Sequence, residues 1–268
     1  MSLTSMIADK TSPLNTFLAD ELPGIATLRA SYRSRTRRPH IPTQRPAPPT
    51  GQAAPDWGTL GSAVDHRLRF ALRALNARDR SVAAGIELAG QWRTVLHRLG
   101  HDLLAEIDHL ITTHRLDDRT RPLLCTPEVE DRLARACYTA ALYEEVYRSG
   151  QLWPTTTLGR AEEGLTLEDL LHQVPNYAVT DLTAMTGAAE TGLATVRAAT
   201  TPEQVVLAPL FAGSADVEGA DADWIADRTL IDVKATATPD ALPGREVQQL
   251  VGYLLLDYED TYRIERLG

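Results

Sequence analysis

Five residues toward the C-terminal end have the types and spacing to do chemistry together: Asp223, Asp232, Lys234, Gln249 and Tyr253. Ala222 to Ala226 and Thr229 to Ala235 read as two short strands, with Asp227-Arg228 as the tight turn between them. A two-residue hairpin loop sets Asp223 opposite Asp232 and Asp221 opposite Lys234. Side chains alternate along a strand, so Asp232 and Lys234 share a face, roughly 7 Å apart. Two carboxylates and an ammonium thereby converge. Carboxylates opposed across a strand pair repel, and partial burial strengthens the repulsion. A hard divalent cation such as Mg²⁺ (or Mn²⁺) removes that conflict, because it takes a few carboxylate oxygens and keeps its remaining waters. Lys234 can then orient a water or stabilise a developing anion.

Fifteen residues after Lys234 comes Gln249-Leu250-Val251-Gly252-Tyr253, in which Gln249 and Tyr253 are four apart and lie on one helix face. Asp223, then Asp232-x-Lys234, then Gln-x-x-x-Tyr, in the order strand, strand, helix, resembles the PD-(D/E)xK nuclease superfamily. The match is to its RecB- and lambda-exonuclease-like branch. The resemblance covers mainly residues 57–75 and 205–265. It implies a restriction-endonuclease-like α/β core, a small mixed sheet flanked by helices, and a Mg²⁺-dependent nuclease that hydrolyses DNA phosphodiester bonds. Asp223 and Asp232 would hold the metal, Lys234 would position the attacking water, and Gln249 and Tyr253 would contact the DNA backbone or buttress Lys234. An early helix of that branch carries a glycine and, four residues on, a metal-binding histidine. Here Gly61 is followed at that spacing by Asp65, with His66 displaced by one. Aspartate is the better oxygen donor to Mg²⁺, so Asp65 is favoured for the metal shell over His66, and Glu144 is the remaining alternative. Some members of the branch hold a four-cysteine iron–sulfur cluster; Cys125 and Cys137 are the only cysteines and too few for one.

The chain has 268 residues and a formal net charge of −9, which on its face argues against nucleic acid. The distribution argues the other way. Between Arg29 and Arg80 there are eleven arginines against three acids, a local excess of +8 that leaves −17 for the rest. Arg33, Arg35, Arg37 and Arg38 lie among serine, threonine and tyrosine and suit phosphate contact. Arg67 and Arg69 would continue that face on the next helix. No aromatic stacking motif points to RNA. No apolar run approaches a membrane span and no signal peptide is recognisable, so the expected setting is cytoplasmic, away from membranes. Repair and phage-defence systems use the nuclease core that this resemblance implies, with their partner proteins. A catalytically idle nuclease-fold module that binds nucleic acid or a protein partner is the alternative reading.

The elements that must position these residues follow from the pattern. Residues 1–56 read as an N-terminal arm with a short amphipathic piece around Leu14 to Leu22, then a basic linker carrying six prolines between residues 39 and 56. Residues 57–268 form the nuclease-like domain. It opens on a helix with Val64, Leu68, Ala71, Leu72 and Leu75 at helical period. A large helical elaboration fills residues 81–200, with helices expected at Val82–Leu99, His101–His114, Pro127–Ser149, Leu165–Val174 and Thr180–Ala199. His97, His101, His109, His114 and His172, scattered through it without paired ligand spacing, read as polar surface residues rather than ligands. Strands are expected near 205–211, 221–226 and 229–236, then a helix from Glu246 to Tyr258. Tyr262 to Leu267 alternates like the start of another strand, as if the chain continued.

Overall fold

A computed structural model of the chain describes residues 2–36, 56–73, 80–236, 238 and 241–268. Two compact units divide it, one of residues 1–47 with 204–268, the other of residues 48–203.

The first unit is α/β. Helices α1 (Leu3–Ala8), α2 (Pro13–Glu21) and α3 (Ile25–Thr36) precede strand β1 (Val205–Leu207), a 3₁₀ turn (Ala212–Val217) and strands β2 (Trp224–Ala226) and β3 (Thr229–Ile231). The long helix of this unit and strand β4 (Arg266–Leu267) close it; in chain order that helix, Gly244–Leu256, is α10. The sheet runs β1-β2-β3-β4, with two antiparallel pairings followed by a parallel one between β3 and β4. The hairpin has the expected register: Trp224 pairs with Ile231, Ile225 with Leu230 and Ala226 with Thr229. Asp227 and Arg228 at its tip both have positive φ, 44° and 59°, the backbone of a two-residue type I′ turn. Neither residue has glycine's freedom there, and the C-terminal segment braces them. Arg228 pairs with Glu265, and the Arg266 guanidinium donates to the Asp227 carboxylate at 2.9 Å.

The strands are shorter than expected. Ala208, at φ 44°, turns the chain out of β1, and only Leu210 rejoins the sheet, through an isolated bridge to Asp221. Past Ile231 the ladder with β2 gives way to other bonds: the Asp232 N–H donates to the Gly268 carbonyl at 3.0 Å.

Helices α1 and α2 are not an arm outside the core, as composition suggested. Leu3, Ile7 and Leu18 are buried in one cluster with Ile225, Leu230, Tyr253 and Leu256. Ser12 caps α2 by accepting from the Asn15 N–H, with Pro13 in the first turn. Gly252 lets α1 approach α10 closely, since a Cβ there would come within 2.9 Å of the Leu3 side chain. Arg33 and Arg35 fall on α3, whose side chains there are not described; Arg37, Arg38 and the proline-rich stretch lie outside the described residues.

The second unit is helical: α4 (Trp57–Phe70), α5 (Arg80–Trp92), α6 (Thr94–His114), α7 (Pro127–Ser149), α8 (Leu167–His172) and α9 (Asn176–Ala199). Helix α7 matches its expected span and is buried along most of its length. Gly85 permits α5 to cross it at backbone distance, because a Cβ there would overlap the Tyr143 carbonyl. The break between α5 and α6 falls at Arg93, which is extended at φ −148° and ψ 119°, and not near Gly100. Gly100 lies inside α6, where a Cβ would collide with Ile86. Its missing side chain serves packing rather than termination.

Candidate active site

The hairpin, α10 and the C-terminal strand bring Asp223, Asp232, Lys234, Gln249 and Tyr253 of the first unit into one neighbourhood. The Lys234 ammonium lies 2.5 Å from the Asp232 carboxylate. The Asp232 side chain is only 4% exposed and that of Lys234 35%, so a nearly enclosed carboxylate is covered by a partly open cation. The Asp223 carboxylate accepts the Val233 N–H at 2.5 Å, and the Asp223 carbonyl accepts the Ala208 N–H at 2.9 Å. Both aspartates are therefore held by backbone bonds, Asp223 from the opposite strand and Asp232 from Gly268.

Helix α10 supplies the other wall. The Gln249 amide donates to the Tyr253 hydroxyl at 2.8 Å, as the four-residue spacing allows. The Tyr253 ring stacks on Phe211 with centroids 6.1 Å apart, so the ring belongs to the core. Burial raises the Tyr253 pKa; the Gln249 bond opposes that, and the charges of Asp232, Asp223 and Asp221 add to it.

Sequence reasoning missed Glu246. It stands in the first turn of α10, three residues before Gln249 and seven before Tyr253, on the same helix face. Burial raises its pKa, Lys234 and Arg245 counter that, and Asp232 reinforces it. Lys234 and Asp232 are thus close enough to act on its charge, and the i, i+3, i+7 spacing was the available signal.

The oxygen-only donors of the hairpin suit a hard cation, for which one or two protein carboxylates and several waters suffice. Among the described residues, however, these acids do not bring three ligand atoms within 4.8 Å of one another. Asp223 and Asp232 directly flank the last paired residues of the hairpin, Trp224 and Ile231.

The remaining metal candidates belong to the helical unit, and each has an internal partner there. Asp65 pairs with Arg69 one turn on. His66 Nε2 lies 2.8 Å from Glu144, which also receives Arg148 at 2.6 Å. Burial alone would raise the Glu144 pKa, but the bonds and charges of His66 and Arg148 outweigh it and hold it at about 2. A folded-state value below the ordinary 4.5 stabilises the unit above pH 4.5, and that contribution is lost as pH falls through this range to about 2. The expected size is on the order of 3 kcal/mol. Urea unfolding of the parent and of Glu144→Gln should therefore differ at neutral pH and converge as the solution is acidified across that window. A gap independent of pH would remove Glu144 as the titrating group.

Two of the arginines assigned to phosphate contact are not on a solvent face. Arg67 is fully buried, with its guanidinium on Glu130 and on the Leu123 carbonyl. Arg69 is buried beside Asp65. Their helical positions point inward because α4 is enclosed along its whole C-terminal half. Helix charge density did not reveal which arginines face solvent.

No protein-family model, no curated protein and no solved structure matches the chain. Among the described residues, no helix is long and apolar enough to cross a membrane.

Proposed function

We propose that the α/β unit is a metal-dependent phosphodiesterase that hydrolyses DNA. The observation that carries the reading is the hairpin: its ladder ends at Trp224 and Ile231, the next residues on the two strands are Asp223 and Asp232, and Lys234 lies on the Asp232 carboxylate. Asp223 and Asp232 would hold Mg²⁺ or Mn²⁺. When bound, such an ion neutralises charge on the phosphate under attack and lowers the pKa of one of its waters. Lys234, already beside Asp232, would hold the attacking water or balance the developing anion. Gln249 would fix the Tyr253 hydroxyl against the same cluster. Asp65, His66 and Glu144 have internal partners and are given no metal role here.

A second reading, an idle module that binds nucleic acid or a protein, is favoured by one specific observation. Lys234 and the Val233 N–H already satisfy the two carboxylates. Incubation with linear and circular plasmid in Mg²⁺, Mn²⁺ or EDTA separates the two. The nuclease reading expects cutting with either ion and none in EDTA; an intact plasmid under every condition, with DNA still bound, leaves the idle module.

The arginine-rich segment contributes to DNA affinity in this reading. Neutralising Arg33, Arg35, Arg37 and Arg38 together should weaken binding and reduce the slope of log affinity against log salt by up to about 4, near 0.9 per lost phosphate contact. An unchanged slope would dissociate the segment from DNA.

A further inference from the structure

We propose that the helical unit carries a transition-metal site built from Glu87 on α5 and His97 and His101 on α6. This site is independent of the hairpin carboxylates. His97 and His101 are four residues apart, one above the other on the same helix face, and Glu87 reaches them from the neighbouring helix. The two histidines lie at the surface, as read from the sequence, but they do not lack ligand spacing: the pair has the i, i+4 spacing by which one helix presents two imidazoles to one ion.

The distances match a metal rather than a loose polar cluster. The two Nε2 atoms are 3.3 Å apart, and Glu87 Oε1 is 3.4 Å from His97 Nε2 and 3.6 Å from His101 Nε2. A tetrahedral ion with ligands at 2.0–2.1 Å separates any two of its ligand atoms by about 3.3 Å. The three edges therefore outline one face of such a tetrahedron. The rings meet edge to face, with centroids 4.5 Å apart and planes at 63°, so the two Nε2 atoms approach without the rings stacking. Among the described residues this is the one group of three histidine, cysteine or acidic residues whose ligand atoms lie within 4.8 Å of one another.

The backbone is shaped to allow it. A Cβ on Gly90 would come within 2.8 Å of the His97 Cβ, so the absence of a side chain there seats His97 against α5. A Cβ on Gly100 would fall 2.5 Å from Ile86, the residue before Glu87. One glycine from each helix thus permits the close approach that brings Glu87 to the histidines.

Two imidazoles and one carboxylate suit Zn²⁺, Co²⁺, Ni²⁺ or Cu²⁺ and not Mg²⁺, which prefers oxygen throughout. All three side chains are substantially open to solvent, so the fourth vertex would be a water. Both histidines bind as neutral rings with the proton on Nδ1, which makes affinity fall as the solution is acidified.

The test is a titration of the full, tag-free chain with Co²⁺, read by the visible absorption of a four-coordinate ion and followed by displacement with Zn²⁺. One equivalent is expected. His97→Gln and His101→Gln should each weaken binding at least tenfold, and Glu87→Gln by a smaller factor. Gly90→Ala keeps every ligand but crowds His97, and should also weaken binding. His109→Gln, elsewhere on α6, should leave it unchanged. Far-ultraviolet circular dichroism in EDTA confirms that each variant is folded. Binding by the parent no tighter than by the His97→Gln/His101→Gln double variant would overturn the site and leave a hydrogen-bonded surface cluster. Equal loss with Asp232→Asn would relocate the ion to the hairpin and overturn it too.

Discussion

Lys234→Ala should cut DNA cleavage by about two to four orders of magnitude while leaving metal binding intact. In the proposed reaction the ammonium is a positioned charge, and the loss of such a group typically costs rates on that scale. The geometry sharpens the expectation for the metal. Lys234 sits 2.5 Å from Asp232, whose side chain is 4% exposed, so removing the ammonium takes away the cation that covers an enclosed carboxylate. A divalent cation can take up that charge, and the variant should bind Mg²⁺ or Mn²⁺ as tightly as the parent or more so. Asp232→Asn has the opposite signature: a ligand charge is gone, so metal affinity and cleavage fall together. Isothermal titration with Mn²⁺, run beside a plasmid assay, reads both quantities. If the parent binds metal and DNA but cuts nothing, and neither substitution alters binding, the hairpin is a scaffold and the nuclease reading fails.

The hairpin was legible because two independent constraints agree on its register. The apolar residues Trp224, Ile225 and Leu230 must be buried, and a two-residue turn leaves one pairing that does so. The turn itself carried a weaker signal, since Asp-Arg lacks the glycine that usually accepts the second positive φ. What holds it is β4, thirty-odd residues further on, and no local pattern foretells that Arg266 and Glu265 reach back to Asp227 and Arg228. The amphipathic piece around Leu14 to Leu22 is α2, but the place of the N-terminal helices in the core was missed for a related reason. Leu3, Ile7 and Leu18 are few, and the basic, proline-rich stretch that follows dominates the composition. Their value comes from a sheet that begins two hundred residues later, which periodicity in a short window cannot reveal.

The arginines of α4 show the limit most clearly. A helix carrying Arg67 and Arg69 beside Asp65 and His66 reads as a solvated, phosphate-facing surface, because charged side chains are seldom enclosed. Here α7 contributes Glu130 and Glu144 to meet those charges, from more than sixty residues away. Charge pairing between distant helices has no signature in either helix alone. The histidine pair of α6 is the converse case. Its spacing was visible in the sequence, but the third ligand comes from α5, and only the close approach of the two helices connects them.

Arg67→Met should destabilise the helical unit by about 3–5 kcal/mol, the usual cost of stranding one member of a buried ion pair. Glu130 accepts from Arg67 Nε at 3.1 Å and Nη2 at 2.5 Å and also takes the Cys125 N–H at 2.8 Å. Without the guanidinium, the carboxylate is left enclosed with a single backbone donor. Nη2 also serves the Leu123 carbonyl at 2.6 Å, which loses that donor as well. The pair is nevertheless imperfect, since the buried Arg67 Nη1 finds no acceptor among the described residues. An ion pair that pays desolvation without full satisfaction is one that apolar side chains can replace at little loss. The double variant Arg67→Met/Glu130→Met should therefore recover much of the stability that the single variant loses. Chemical denaturation of the parent, both single variants and the double variant gives the coupling directly. Additive losses, with the double variant weaker than either single one by their sum, would mean that the two side chains act separately and that the pair does not organise α4 against α7.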